Sequence, residues 1–350
     1  MPPQKSFEDH ALQHCYACLD SSGDPLAFLE EQIHWDGLRR IMARIRFDRD
    51  HHRKGGRPPL DGLMMAKVLV LQALYNLSDD AMEYQINDRL SFKRFLGLSV
   101  TDKAPDAKTI WLWRERVKHG GLDAKIFRWF EGELQRHGFA AKGGQMVDAT
   151  FVPTHKPTGK QDKQLAEGTP LTPRQSQQRD ADADFTRKGN VAYHGYKNHV
   201  CADVKHKFIR SFGVSPASLH DSQCFTELLD TPDDDTAPGD RGVWADSAYR
   251  SKEAEEALAE QGFESHVHER AYRNTPLTEK QKAANTERSG VRARIEHIFG
   301  CMETAMGGLL THTIGLANAA VKIAFKNIAY NMQRFAMLQR KSKAPQEQCA

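Results

Sequence analysis

Three acidic residues stand where an acid is expensive or where its neighbours are telling. Asp148 sits midway along Gln145-Met-Val-Asp-Ala-Thr-Phe-Val152, an alternating run rich in strand formers. Asp246 ends the short apolar run Trp244-Ala-Asp246. Glu296 follows Arg292 by four residues in Arg292-Ala-Arg-Ile-Glu-His-Ile-Phe299, a spacing that puts both on one helix face. A carboxylate inside a short apolar strand is costly unless it is paired or holds a cation. Brought together, three such groups make a hard-oxygen cage for Mg²⁺ or Mn²⁺. Two ions there can activate a water or a 3′-hydroxyl and stabilise the leaving oxygen of an in-line attack on a phosphodiester. Taken singly, each acid could instead cap an element or pair with an arginine. For Glu296 alone, beside Arg292 and Arg294, that simpler role is the better reading.

The elements that must position these acids follow from periodicity. Residues 5–45 read as helical, and 51–59 as a basic linker punctuated by Gly and Pro. A strongly apolar helix over 60–77 must be buried. Ser78-Asp79-Asp80 caps a helix that reaches about Arg89, a short helix over 91–96 breaks near Gly97, and Asp106 can cap a helix over 107–118. At Gly143 the period changes to that of strands. The strand at 145–152 is followed by a polar stretch from 153 to 190, a flexible insertion or an extended hairpin. Strands over 196–204 and 208–214, a helix over 222–229, a strand over 242–247, a helix over 252–261, a strand over 263–268 and helices over 286–306 and 317–338 complete the chain. Three strands, helix, strand, helix, strand, helix is an α/β order with a mixed sheet flanked by helices, and it is the order of the ribonuclease-H-like fold. In that order the first and fourth strands are neighbours, which would place Asp148 beside Asp246, with the late helix laying Glu296 across them.

The helical part carries its own candidates. Short helix, Gly-containing turn and the basic helix with Lys108, Arg114, Arg116 and Lys118 resemble a helix-turn-helix, whose second helix enters a major groove. An ordinary bundle with a solvated basic face has the same pattern. Trp111 and Trp113 divide into one core and one surface residue. The expected domains are an all-α, helix-turn-helix-like unit for DNA binding or dimerisation (1–140), a ribonuclease-H-like unit with a polar insertion at 153–190 (141–340), and a basic tail (341–350).

The motifs, taken together, resemble the DDE transposases of the insertion-sequence-5 type, within the larger group that includes the insertion-sequence-4 transposases. The stretches that carry the resemblance are Gly56-Arg-Pro-Pro-Leu-Asp61, Val147-Asp-Ala-Thr150, His194-Gly-Tyr-Lys-Asn-His199, Leu219-His-Asp-Ser222, Ala245-Asp-Ser-Ala-Tyr249 and Arg292 to Phe299. They occur in family order over roughly residues 50–340. The resemblance implies Asp148, Asp246 and Glu296 as catalytic and metal-binding acids, Mg²⁺ or Mn²⁺ as a pair of ions, and double-stranded DNA as partner at transposon ends and target. It also implies a homodimer or larger synaptic assembly, acting at the bacterial nucleoid. It places Lys197 and His199 near the site, Lys197 as a phosphate contact or else a surface lysine. His220 and Asp221 border the site, or Asp221 and Ser222 cap a helix. Tyr249, Arg250 and Arg292 are further candidate DNA contacts. The chain departs from the related pattern at two places, with Ser289 for a Tyr and Glu303 for a Lys. Glu303 could be a further acid near the metals, and Lys322 or Lys326 could stand in for the lysine. Within the same fold, an endonuclease that never joins ends is an alternative, as is a decayed domain that only binds DNA.

Bulk properties limit the rest. A net charge of +3 does not by itself announce a nucleic-acid partner, but residues 151–210 hold eleven Lys and Arg against six Asp and Glu, and 316–346 hold six basic residues and no acid. Met-Pro-Pro-Gln-Lys is no signal pattern and no apolar run approaches a membrane span, which points to the cytoplasm. Six scattered cysteines favour reduced thiols. Cys15 and Cys18 have zinc-ligand spacing, but half a site is all that follows, and free thiols on a helix are the expectation. There is no Gly-x-Ser-x-Gly elbow and no phosphate-binding Walker loop.

Overall fold

In the computed structural model of the protein the described residues are 7–45, 60–232, 236–271 and 275–343. The basic linker expected at 51–59, the start of the Gly56 motif and most of the expected tail, with Cys349, lie outside them. The chain divides into two units, Met1–Glu133 with Asn331–Ala350, and Leu134–Tyr330. Among the described residues no helix is long and apolar enough to cross a membrane.

The first unit is helical. Its elements are α1 (Phe7–Ser21), α2 (Pro25–Gln32), α3 (Asp36–Met42), α4 (Gly62–Tyr75), α5 (Asp79–Asp88), α6 (Leu90–Leu96), α7 (Ala107–His119) and most of α8 (Asp123–Arg136). α4 is apolar on nearly every side and buries Leu63 through Gln72, as a helix without a polar face must. Even Lys67 is inside. Its ammonium is held by Glu30 at 2.7 Å and by the Phe95 carbonyl at 3.2 Å, over the Trp35 ring, and burial lowers its pKa. Asp61, Ser78 and Asp106 each accept a backbone N–H at the starts of α4, α5 and α7. Gly97 ends α6 in the left-handed conformation. Cys15 and Cys18 are exposed on α1.

The second unit is α/β. Its sheet comprises β1 (Gln145–Pro153), β2 (Asp184–Lys188), β3 (Val191–Asp203), β4 (Ile209–Pro216), β5 (Gly242–Trp244) and β6 (Glu264–Ser265). β1 pairs antiparallel with β3 and parallel with β5, and β6 pairs parallel with β5. On its other edge β3 pairs antiparallel with β4 and, further towards its start, with β2. Leaving the short β2 aside, the order β4-β3-β1-β5-β6 is the ribonuclease-H-like arrangement. Helices α11 (Lys252–Glu260), α12 (Glu279–Thr304) and α13 (Leu316–Lys343, which continues into the first unit) complete the frame. Strand alternation separates two apolar layers. Val147, Cys201 and Val243 pack with Phe225, Tyr249 and Leu258 on one face, while Val152 and Tyr196 meet Ala319 and Ile323 of α13 on the other.

Several expectations need correction. The polar stretch after β1 holds two short helices, α9 (Gly159–Ala166) and α10 (Pro173–Gln178), and its end forms the β2–β3 hairpin. The helix expected at 222–229 is a pair of 3₁₀ turns, Asp221–Cys224 and Thr226–Leu228. β6 is two residues long, yet its bonding to the β5 side continues irregularly, with His266 N–H donating to Val243 and His268 N–H to Ala245. Arg210, part of the basic segment, is buried against Asp203 and so is not a surface charge.

Candidate active site

The β1–β5 pairing sets the first two acids. Gln145 lies opposite Val243 and Met146 opposite Trp244. Continued by two residues, this register brings Asp148 level with Asp246. Close approach of the two strands requires glycine at Gly144. It has φ +82°, and a Cβ there would run into the Gly242 carbonyl and the Trp244 ring. Asp148 is 18% exposed at its side chain. Its Oδ1 accepts the Ala149 N–H at 2.8 Å. Asp246 lies just past β5, and its Oδ1 accepts the Ala248 N–H at 2.6 Å, the local turn expected of an Asp at a strand end.

Glu296 reaches this pair through an arginine. Arg292 donates from Nη1 to Asp148 Oδ2 at 3.0 Å and from Nη2 to Glu296 Oε1 at 3.3 Å. One guanidinium therefore ties the β1 acid to the α12 acid. The Arg292 Nε is buried without a hydrogen-bond partner. Glu296 itself is 62% exposed at its side chain, so α12 carries it on the open side. Among the described residues, the ligand oxygens of Asp148, Asp246 and Glu296 do not all lie within 4.8 Å of one another.

Close to the acids, around Tyr249, lies a polar cluster built from residues that the resemblance places near the site. Lys197 is buried; its ammonium donates to Asp221 Oδ1 at 2.8 Å and to the Leu219 carbonyl at 2.7 Å. It is not a surface lysine; in this structure it is the counter-charge of Asp221. His199 has no exposed surface. Its Nε2 shares a hydrogen with Ser215 at 2.7 Å, its Nδ1 lies 4.0 Å from Asp221, and burial lowers its pKa. Tyr249 is 1% exposed and packs on Phe225, so in this structure its ring is not presented at the surface. Its buried hydroxyl has no hydrogen-bond partner. Burial, and then the charges of Asp148, Asp221 and Asp246, push its pKa far up, so the phenol stays protonated. Arg250 is engaged by the Val267 carbonyl at 2.9 Å and by Glu255 and Glu269, which makes it a structural brace. His220 is exposed, but its ring caps the 3₁₀ turn through the Ser222 N–H and hydroxyl.

Near the acids, the sequence hides the partner of Asp221 and the place of His268. Asp221 was read with His220 as bordering the site or as a cap, and its pairing with Lys197 was invisible because 24 residues separate them. His268 follows β6, and its pKa is lowered by burial and by the Arg292 charge, while Asp246 opposes that shift. Its Nε2 faces the Ser289 hydroxyl at 3.4 Å, at the position where the related pattern has a Tyr. Glu303 is exposed two turns beyond Glu296. Lys326 does not replace the missing lysine, because its buried ammonium donates to the Met306 carbonyl at 2.6 Å. Lys322 is half-buried on α13.

In the helical unit Lys108, Trp111 and Leu112 are exposed on α7 while Trp113 is core. Arg114 is the correction here. It is buried, not surface-exposed, and forks onto Asp79 at 2.8 and 2.7 Å and onto Gln72 at 3.0 Å, so it holds α7 to α5 and α4.

With this geometry in place, comparison with known families is direct. A family model described as a transposase DDE domain matches residues 140–332, and one described as a transposase domain (DUF772) matches residues 13–116. No solved structure matches the chain. The first match takes in more than half of the chain and contains Asp148, Asp246 and Glu296, and the two matches follow one another as in transposases of the insertion-sequence-4 and -5 types. The chain belongs to the DDE-domain transposases.

Proposed function

We propose that this transposase binds the terminal inverted repeats of its element, cuts the DNA there and joins the freed 3′ ends to a target, with Asp148, Asp246 and Glu296 as the acids of the site. The observation that carries this reading is the β1–β5 register, which sets Asp148 level with Asp246 at one end of the sheet. The guanidinium that already links Asp148 to Glu296 supports the third assignment.

The donor set fits a hard divalent cation. Its ligand atoms are carboxylate oxygens, one group is partly and one largely open to solvent, and a positive group already rests between two of them. Asp148, Asp246 and Glu296 would hold Mg²⁺ or Mn²⁺, as a pair of ions. When bound, such ions activate a water or 3′-hydroxyl and offset the charge developing on the leaving oxygen.

The chain's own residues do the remaining work. The Ala149 and Ala248 amides fix one oxygen of Asp148 and one of Asp246, so neither carboxylate turns freely. Lys197 cancels the charge of Asp221, so the layer beneath the acids does not add a fourth uncompensated negative charge. Tyr249 stays protonated and so adds no charge beside the acids. Lys108 and Trp111 on the open face of α7 are the side chains offered to DNA by the helical unit. Synapsis of two ends calls for a homodimer or a larger assembly, acting on bacterial DNA in the cytoplasm.

A precut repeat end incubated with a target plasmid tests the joining step. Covalently joined end and target in Mg²⁺ is the expected product. Nicking of the intact repeat without any joined product would mean an endonuclease. Specific binding with neither product would mean a DNA-binding regulator.

A further inference from the structure

The position of Arg292 carries a consequence for how a cation enters. This residue lies on α12, 23% exposed at its side chain, with one arm on Asp148 and the other on Glu296. Asp148 is the less exposed of those two acids, at 18% against 62%, so its contact with Arg292 is the better shielded of the pair. A divalent ion seeks the same oxygens. An ammonium or guanidinium within hydrogen-bond distance of a carboxylate and a divalent cation on the same carboxylate repel one another strongly at partly buried sites. Asp148 has one oxygen engaged by the Ala149 amide and the other by Arg292, so a cation reaching Asp148 competes with the guanidinium for the second oxygen.

We propose that Arg292 is the internal counter-cation of this carboxylate set, a positioning residue that holds Asp148 and Glu296 until a divalent cation displaces it from Asp148. This rests on the functional reading above. It adds that metal binding and the Asp148–Arg292 contact exclude one another. Without metal the contact offsets the repulsion between the acids and keeps them near their working places. With metal the two-armed guanidinium is released, and its Nε, which has no partner in the closed arrangement, becomes free to bond. The exchange makes no covalent bond and transfers no proton.

The test is Mn²⁺ binding to the full chain without DNA, followed by the electron paramagnetic resonance signal of free Mn²⁺. Three variants are compared with the parent. Arg292→Gln keeps a helix-compatible side chain and removes the charge. It is expected to bind Mn²⁺ about tenfold more tightly, the change that follows when a charge-assisted hydrogen bond no longer has to be broken. Arg292→Lys reaches one acid at a time and is expected to fall between the two. Asp148→Asn is expected to lose the tight site. If Arg292→Gln or Arg292→Lys binds Mn²⁺ no more tightly than the parent while Asp148→Asn loses it, the counter-cation role is wrong and the metal site stands. If Asp148→Asn binds as the parent does, the metal assignment itself is wrong, and the role of Arg292 falls with it.

Discussion

Asn198 on β3 and Asn327 on α13 exchange side-chain hydrogen bonds, 2.8 Å from the Asn198 amide nitrogen and 3.2 Å in return, with both residues buried to 0% exposure. The pair fastens α13 to the strand that runs beside β1, and so helps to hold the sheet face on which Asp148 lies. It also explains the Asn of His194-Gly-Tyr-Lys-Asn-His199: its role is to pin a helix. Removing one partner leaves a buried amide unsatisfied. Asn327→Ala is expected to cost about 2 kcal/mol in a urea titration, and Asn198→Val with Asn327→Leu to recover most of it, since both polar groups then leave together. A single substitution costing under about 0.5 kcal/mol would show that the two amides do not depend on each other.

Arg114 gives a prediction that separates a structural from a DNA-binding role. Its fork on Asp79 and Gln72 is inside the helical unit. Arg114→Ala strands a mostly buried carboxylate and is expected to lower stability by about 3 kcal/mol. Binding of the folded fraction to a repeat duplex should then be unchanged, whereas Lys108→Ala should weaken binding and leave the melting temperature alone. Unchanged stability with a drop in DNA affinity for Arg114→Ala would reverse the assignment.

Lys326 makes stability depend on alkaline pH. Burial lowers its pKa from 10.5 to about 8. Below about pH 8 the ammonium is charged in both states, and the cost of burying that charge is fully present. Between about pH 8 and 10.5 the unfolded chain holds a proton that the folded chain has released, so this group's contribution to stability rises with pH. Above both values the cost is gone. The full span is roughly 3 kcal/mol. Lys326→Met is neutral throughout, so the difference in urea midpoint between variant and parent should narrow from pH 7 to pH 10.5. A constant difference would contradict the shifted value.

Much of the frame was legible in the chain because local rules fixed it. Asp61, Ser78 and Asp106 announced their helices by capping chemistry, and α4 announced its burial by having no polar face. Asp148 and Asp246 stand out in the chain because an acid in an apolar strand calls for a partner, and the β1–β5 register sets them level with one another. α10 and the early start of α12 were legible too but went unread: Thr172 with Gln175, and Thr278 with Gln281, are capping boxes. What local pattern could not give were the pairings across the chain. Lys197 with Asp221, Arg114 with Asp79 and His268 with Ser289 each turn a residue that looks exposed and basic, or merely polar, into part of the interior or of the site. The 3₁₀ turns at 221–228 are not distinguishable from a helix by composition, which suits either form.

On the function proposed above, Asp148 and Asp246, level with each other across β1 and β5, bind the cation that supports DNA cleavage. The most direct measurement is nicking of a duplex carrying the element's inverted repeat, in Mg²⁺, by the parent and by Asp148→Asn and Asp246→Asn. The expected result is strand cleavage by the parent that stops on chelation, and a loss of at least about a hundredfold in each variant, with duplex affinity and melting temperature retained. Full cleavage by either variant in Mg²⁺ would contradict the assignment.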